Sequence, residues 1–206
     1  KDVYHELRSP MTRIKLANEF VEKKKKKNKI HDDVKEMETM VSGLLETYRE
    51  ENMNGGSVPE TTDIISLIRS VASKFNETKI KINIESEKLE VRIERKKIET
   101  VLRNIIDNAV KYSDGKSVEI SVMKNPSESN ETFISIKDSG RGIEEEELKK
   151  IFEPFYRVDK SRDKKISGYG LGLSIVKKIL DSHNSSFEII SKPTFGTEFK
   201  ITLRNK

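Results

Sequence analysis

The sequence contains no cysteine and only three histidines, His5, His31 and His183, which lie far apart along the chain. Without thiols the protein forms neither disulfides nor thiolate zinc sites, and its redox compartment cannot be inferred from cysteine usage. The scattered histidines argue against a histidine metal cage. No apolar run approaches the roughly 18 residues of a membrane span, and no signal peptide is visible.

Charged residues make up 36% of the 206 residues and hydrophobic residues 33%, and the two kinds are interspersed. This balance predicts a soluble, globular chain with room for a small element and one domain of roughly 150 residues. The net charge of +5 favours acidic partners. Basic residues are nevertheless balanced by acidic ones and are not gathered with stacking aromatics, which argues against a nucleic-acid-binding protein. Because the chain opens on Lys1, we expect a piece of a longer protein.

Two stripes of apolar residues near the start predict a helical hairpin. The first comprises Leu7, Met11, Ile14, Ala17 and Val21, and the second Ile30, Val34, Met37, Val41, Leu44 and Tyr48. Both have the spacing of three and four residues that draws one face of a helix. Two helices cannot bury both stripes, so we expect two copies of the chain to associate as a four-helix bundle. The Gly-Gly-Ser sequence and Pro59 then predict a hinge, which gives a hairpin at 1–54, a linker at 55–59 and a second domain at 60–206.

The second domain mixes helical and strand patterns. Helices are predicted near Asp63 to Phe75, Glu94 to Tyr112, Glu144 to Ile151 and Leu171 to His183. Strands are predicted around Ile80 to Ile84, Val91 to Ile93, Val118 to Met123, Thr132 to Asp138, Phe187 to Ser191 and Glu198 to Leu203. Strands mostly in hairpin order predict an α+β sandwich with helices on one face of a sheet.

On the predicted helix RNIIDNAVKYS, Asn104, Asn108 and Lys111 are four and then three residues apart and share one face. Amide oxygens suit magnesium that is also bound by phosphates, and the lysine suits a phosphate. The alternative is an ordinary solvated helix face.

Two glycine-rich segments favour close approach to a ligand. In DSGRGI, Asp138 follows a strand, and its carboxylate suits an exocyclic amine such as that of adenine; D-x-G-x-G is also a common turn. In GYGLGLSIVKKIL, Gly168, Gly170 and Gly172 precede a helix whose amides and positive end suit phosphate. This is neither a Walker loop nor a Rossmann fingerprint. The segment between them carries aromatics and cations, and is loose enough to act as a lid.

Taken together, these segments resemble the motifs of sensor histidine kinases. HELRSPMTRI resembles the H box, RNIIDNAVKYS the N box, DSGRGI the G1 box, FEPFYRVD the F box and GYGLGLSIV the G2 box, in the family's order. The resemblance implies the cytoplasmic catalytic core of such a kinase, with a phosphotransfer hairpin and an ATP-binding domain of the Bergerat fold shared with DNA gyrase and Hsp90. It also implies ATP and Mg²⁺ as cofactors, a homodimer, a response-regulator receiver domain as partner, and an inner-membrane anchor in an absent N-terminal part.

The resemblance assigns roles to individual residues. Asn104 and Asn108 would supply the magnesium and phosphate environment, Asp138 would read the adenine amine, and Thr197 would lie near the adenine. The remaining residues implied to shape the nucleotide site are Lys111, Tyr112, Gly140, Gly142, Phe155, Arg157, Gly168, Gly170, Leu171 and Gly172.

The segment HELRSP carries the chemistry that distinguishes a kinase from other ATPases. The ring of His5 is unprotonated at cellular pH in a useful fraction and can act as a nucleophile. Glu6 can hold the proton of the other ring nitrogen. The resemblance implies attack of His5 Nε2 on the γ-phosphate of ATP, and it gives Ser9 a part in dephosphorylating the partner. Leu16 and Phe20 recur roughly on the His5 face, where they either form a docking patch for the receiver domain or widen the bundle core.

Three departures from the family pattern occur: DSHNSSF replaces histidine followed by two glycines, KPTFGTEF varies a glycine-rich approach, and Ser139 stands where asparagine is frequent. None removes a proposed catalytic group, although the first two put the detailed strand turn in doubt. The alternatives are a gyrase-like or Hsp90-like ATPase, which has no use for HELRSP, and a non-catalytic dimeric nucleotide-binding scaffold.

Overall fold

The computed structural model describes residues 12, 14, 30, 34, 41, 58–75, 80–84, 86–125, 130–158 and 170–205. The chain divides into two compact units, Lys1–Gly55 and Gly56–Lys206. Most of the first unit lies outside the described residues, among which Thr12, Ile14, Ile30, Val34 and Val41 are helical. The hairpin and the four-helix bundle therefore remain predictions. No helix among the described residues is both long and apolar enough to span a membrane.

The second unit contains seven described strands and four described helices. In chain order they are β1 (Glu60–Asp63), α1 (Ile64–Ala72), β2 (Ile80–Ile84), β3 (Glu90–Ile93), α2 (Arg95–Tyr112), β4 (Val118–Lys124), β5 (Glu131–Lys137), α3 (Glu145–Leu148), α4 (Gly172–Ser182), β6 (Ser186–Lys192) and β7 (Gly196–Arg204). The predicted α+β class is confirmed, and the bounds of the predicted helices and strands are close to those observed.

Five strands form a mixed sheet in the order β2-β4-β5-β7-β6, in which β2 and β4 are parallel and the other pairs antiparallel. The strands alternate between buried and exposed positions, as a sheet covered on one face requires. Buried residues of α1, α2 and α4 join those of β4, β5 and β7 in one hydrophobic core. The helices α2 and α4 pack against each other within this layer.

Two features of the strands were not predicted from the sequence. The first is β1, which pairs antiparallel with β3 in a separate two-stranded sheet, so β2 and β3 do not share a sheet. With only four residues, ETTD, β1 shows no apolar alternation. The second is the parallel pairing of β2 with β4, since the chain returns through α2 before β4 begins.

The turn after α4, which the departure DSHNSSF had put in doubt, is a closed C-terminal cap. Asn184 has a φ of 52°. Its N–H donates to the carbonyl of Asp181 at 3.1 Å, and the N–H of Ser185 donates to the carbonyl of Leu180 at 3.0 Å. These two bonds form a Schellman motif with asparagine in the left-handed position that usually holds glycine. The chain therefore makes the turn into β6 without the two glycines.

Replacing Asn184 with glycine should raise the free energy of unfolding by about 0.5 to 1 kcal/mol, because glycine adopts a positive φ without a Cβ clash. Asn184→Ala should lower the free energy of unfolding, since alanine keeps the Cβ and lacks the polar side chain that eases this conformation. Urea unfolding followed by circular dichroism measures both changes. A glycine variant less stable than the parent would contradict this account of the turn.

Candidate nucleotide-binding site

Asp138 follows β5 and is 2% exposed. Its Oδ1 accepts hydrogen bonds from the N–H of Gly140 at 2.8 Å and of Thr197 at 3.3 Å, and its own N–H donates to the carbonyl of Thr197 at 2.9 Å. Burial raises the pKa of the Asp138 carboxyl, the two backbone donors lower it, repulsion by Asp114 raises it, and the net shift is upward. No described residue donates to its Oδ2. The carboxylate is thus fixed in orientation with one oxygen available to a ligand.

Gly140 brings the loop after β5 against the end of α2. A Cβ at this position would lie 1.8 Å from the carbonyl oxygen of Tyr112, a distance that no side chain tolerates. The Arg141 guanidinium of this loop also lies 4.6 Å from the centre of the Tyr112 ring. Lys116, in the turn between α2 and β4, donates from its Nζ to the carbonyl of Ser139 at 2.8 Å. Tyr112, predicted to flank the base, therefore lies beside the loop that follows β5, which we call the Asp138 loop.

The face of α2 predicted to bind metal and phosphate is half-buried at Asn104, Asn108 and Lys111. Asn104 Nδ2 donates to the carbonyl of Thr100 at 2.9 Å, which orients its amide. The side-chain amide of Asn108 has no hydrogen-bond partner among the described residues. Lys111 pairs with Asp107 on its own helix, so a phosphate there would compete with that carboxylate.

The amides of Asn104 and Asn108 fit a magnesium ion in the way expected of that metal. Neutral oxygens from one or two side chains suit an ion that keeps several waters and takes its other ligands from phosphates. Among the residues that the structure describes, no group of three histidine, cysteine or acidic side chains forms a metal cage. A divalent cation at this face would therefore depend on a bound phosphate for much of its coordination.

The N-terminus of α4 lies against this face of α2. A Cβ on Gly172, the first residue of α4, would lie 2.9 Å from Asn104 Oδ1. Leu171 at the N-cap is buried, no side chain caps the helix, and its first turn carries no acidic residue. Uncapped N–H groups and the positive end of an 11-residue helix favour an anion here.

Gly170, two residues before α4, is hydrogen-bonded to the residues that follow α3. Phe155 N–H donates to the Gly170 carbonyl at 3.0 Å, and Tyr156 donates a hydrogen bond to Glu147 of α3. The Phe155 ring, predicted to flank the base, is 44% exposed, and Arg157 is half-buried. Gly168 lies outside the described residues.

The remaining predicted site residues are Gly142, near the middle of the chain, and five residues of the first unit. Gly142 has a φ of 70° and lies against the backbone of Lys192, the last residue of β6, and of Pro193, which follows it. His5, Glu6, Ser9, Leu16 and Phe20 lie outside the described residues, so their roles stay predictions.

Three further residues lie in the Asp138 loop or contact it or its neighbours, and were not predicted as site residues: Arg141, Lys116 and Ser191. Ser191 Oγ accepts from the N–H of Ile143 at 2.9 Å. A charged residue inside a Gly-x-Gly turn is the only sequence signal for Arg141, and a serine in a strand gives none.

Comparison with known proteins places most of the second unit in a family of ATPases. Residues 93–206 match the family described as histidine kinase-, DNA gyrase B- and HSP90-like ATPases. The chain is 32% identical over 210 residues to the sensor histidine kinase YkoH of Bacillus subtilis, covering 96% of this chain and 45% of that protein. It is 32% identical over 220 residues to the sensor histidine kinase WalK of the same organism, covering 100% of this chain and 36% of WalK.

Among solved structures, the catalytic domain of the histidine kinase ThkA superposes with a TM-score of 0.59 at 27% identity, covering 71% of this chain and 96% of that one. The chain thus spans less than half the length of the two Bacillus relatives. The resemblance to sensor histidine kinases that the five motifs indicated is confirmed by these relatives. The chain belongs to the family of histidine kinase-, DNA gyrase B- and HSP90-like ATPases.

Proposed function

We propose that this chain is the catalytic core of an ATP-dependent protein-histidine kinase. The observation that carries the proposal is the continuity of the site along α2. Tyr112 at one end contacts the loop of Asp138, and Asn104, eight residues earlier, contacts the N-terminus of α4. Eight residues of α-helix span about 12 Å. A nucleotide lying along α2 would place its base at Asp138 and its phosphates at the amide face and the helix end.

The chemistry of the proposed reaction is phosphoryl transfer from ATP to His5. The unprotonated Nε2 of His5 attacks the γ-phosphorus, the new N–P bond forms as the bond from the bridging oxygen to the γ-phosphorus breaks, and ADP leaves with the electron pair. Glu6 accepts a hydrogen bond from Nδ1–H and stabilises the positive charge that develops on the ring. When bound, magnesium neutralises phosphate charge. The phosphoryl group then passes to an aspartate of a response-regulator receiver domain.

The resemblance to sensor histidine kinases suggests further roles for the first unit and for the protein as a whole. A homodimer through the hairpin would supply the four-helix bundle, and Ser9 would orient water for dephosphorylation of the regulator. The larger protein to which the chain belongs would hold the sensor and the membrane anchor, with this core on the cytoplasmic side.

The experiment that tests the proposal is incubation of the chain with Mg²⁺ and ATP labelled in the γ-phosphate. Label that is stable in base and lost in acid is expected, because a phosphorus–nitrogen bond has that stability pattern and serine or threonine esters do not. Release of inorganic phosphate without protein label would favour an ATPase of the gyrase or HSP90 type. Nucleotide binding with neither activity would favour the scaffold.

Leu16→Glu should slow transfer of label from the phosphorylated chain to a receiver domain by about tenfold or more, because it places a charge in the proposed docking patch. Formation of phosphohistidine should be unchanged. Both rates are measured from the same labelled preparation. Loss of the dimer in sedimentation, together with loss of autophosphorylation, would assign Leu16 to the bundle core instead.

A further inference from the structure

The hydroxyl group of Ser191 on β6 contacts three groups in two parts of the candidate site, the end of the Asp138 loop and the start of β7. Ser191 Oγ lies 2.9 Å from the N–H of Ile143, 3.0 Å from the carbonyl oxygen of Gly196 and 2.8 Å from Thr197 Oγ1. Ile143 is separated from Ser191 by 48 residues of sequence. The side chain is half-buried, so water competes only in part for these partners. A small polar residue thus links the end of the Asp138 loop to the start of β7.

The number of hydrogens fixes the direction of each bond. A serine hydroxyl has one hydrogen to donate and two lone pairs with which to accept. The Gly196 carbonyl can only accept, so it takes the hydrogen of Ser191. The Ile143 N–H can only donate and fills one lone pair. Thr197 must therefore donate its own hydroxyl hydrogen to the second lone pair of Ser191.

This direction determines what Thr197 offers to a ligand. With its hydrogen engaged by Ser191, the Thr197 hydroxyl presents only acceptor lone pairs. Thr197 is also bonded through its backbone to Asp138, whose Oδ1 accepts the Thr197 N–H at 3.3 Å. Asp138 Oδ2 is an acceptor without a donor among the described residues. Thr197 Oγ1 and Asp138 Oδ2 are therefore both hydrogen-bond acceptors, on two residues whose backbones are hydrogen-bonded to each other at the predicted base end of the site.

We propose that Ser191 is a positioning residue for base selection, which rests on the proposed nucleotide-binding function. Ser191 holds the Thr197 hydroxyl as an acceptor and anchors the Asp138 loop through Ile143. The pair of acceptors matches a purine with an exocyclic amine at position 6 and disfavours a purine with a carbonyl there. Removing the Ser191 hydroxyl frees the Thr197 hydrogen, which can then donate to that carbonyl.

The test compares ADP with inosine diphosphate, which differs at position 6 by a carbonyl in place of the amine. Isothermal titration of the intact chain gives both dissociation constants. The parent chain should prefer ADP, and Ser191→Ala should reduce that preference by about tenfold, the equivalent of one hydrogen bond of moderate strength. Ser191→Thr keeps the hydroxyl and should restore the preference.

Ser135→Ala is the matched control. Ser135 Oγ on β5 also bridges strands, donating to Glu198 Oε1 at 2.7 Å, but it lies on the opposite face of the sheet from the helices. It should lower stability to a similar degree and leave the ADP preference unchanged. Ser191→Cys, with nearly the same volume and a weaker hydrogen bond, should lose the preference too and serves if the alanine variant does not fold.

The outcomes separate this inference from the proposed function. An unchanged ADP preference in folded Ser191→Ala, or equal weakening of both nucleotides, would overturn the positioning role while leaving nucleotide binding intact. A parent chain that binds neither ADP nor inosine diphosphate would overturn the proposed function, and this inference with it.

Discussion

His5→Ala should reduce label from γ-labelled ATP to background while leaving the affinity for ADP unchanged. The imidazole is the proposed nucleophile, and alanine offers no group that can form the phosphorus–nitrogen bond. The residues proposed to bind the nucleotide all belong to the second unit, Gly56–Lys206, and His5 belongs to the first, so we expect ADP binding to be independent of the imidazole. Label measured on filters, beside calorimetric titration with ADP, separates the two effects.

Two further variants test whether the label depends on His5 in particular and on the carboxylate of Glu6. His31→Ala removes another histidine of the same unit that belongs to no motif, and it should keep the label. Glu6→Gln should slow labelling by roughly 100-fold, since the amide no longer supports positive charge on the ring. Full labelling of His5→Ala would mean that the phosphoryl group resides on another residue, and the proposed mechanism would be wrong.

Asp138→Asn should weaken ADP binding by roughly 100-fold, about 3 kcal/mol. The asparagine Oδ1 can still accept from the N–H groups of Gly140 and Thr197, so the loop keeps its geometry. Its Nδ2 would then take the place of Oδ2 and direct hydrogens at the amine of the base, which pairs a donor with a donor. Calorimetric titration of the purified variant measures the loss.

The control for this change is Asp114→Asn. Asp114 is exposed, has a φ of 54° that asparagine accepts readily, and acts on Asp138 only through repulsion. Its replacement should leave ADP affinity within about twofold of the parent, because interactions of exposed charges are weak. Equal affinity in the parent and Asp138→Asn would show that this carboxylate does not recognise the base.

Asp138→Asn should raise the free energy of unfolding of the chain in the absence of nucleotide. Burial raises the pKa of the Asp138 carboxyl above its ordinary value of 3.8, so folding favours the protonated form. The parent therefore loses stability as the pH rises from that value through the higher folded-state value. Asparagine has no charge to bury. Its advantage in unfolding experiments should appear at neutral pH and shrink below the ordinary carboxyl range.

This opposition of stability and binding explains why a buried carboxylate stands at the end of β5. Burial of the carboxylate lowers the stability of the folded chain, and its Oδ2 forms a favourable hydrogen bond only when a ligand supplies a donor. Loss of stability in Asp138→Asn at every pH would mean that the charge-assisted bonds from Gly140 and Thr197 outweigh the cost of burial.

Much of the second unit could be predicted because local pattern and tertiary packing agree there. The spacing in α2 and the strict alternation in β4 each bury one face against the same core, so their bounds followed from sequence. β1 could not be predicted in this way. It is short, it lacks alternation, and only its pairing with β3, some 30 residues on, makes it a strand.

The site shows the same division between local and long-range information. Asp138 and Gly140 stand in a local turn whose residue types already indicate ligand contact. Ser191 and Arg141 gain their meaning from partners that only the fold brings close, namely Ile143 for the serine and the Tyr112 ring for the arginine. Hydrogen-bond direction at Ser191 also required distances, because serine in a strand is compatible with many roles.

We propose that one nucleotide site runs along α2 from Asp138 to the N-terminus of α4. Titration of the ¹⁵N-labelled chain with Mg²⁺ and ADP, followed by amide chemical shifts, tests it most directly. The account predicts the largest shifts at Gly140, Thr197, Gly172 and the side-chain amide of Asn108, with little change at Asn184. Shifts centred on another surface, or none at millimolar ADP, would contradict it.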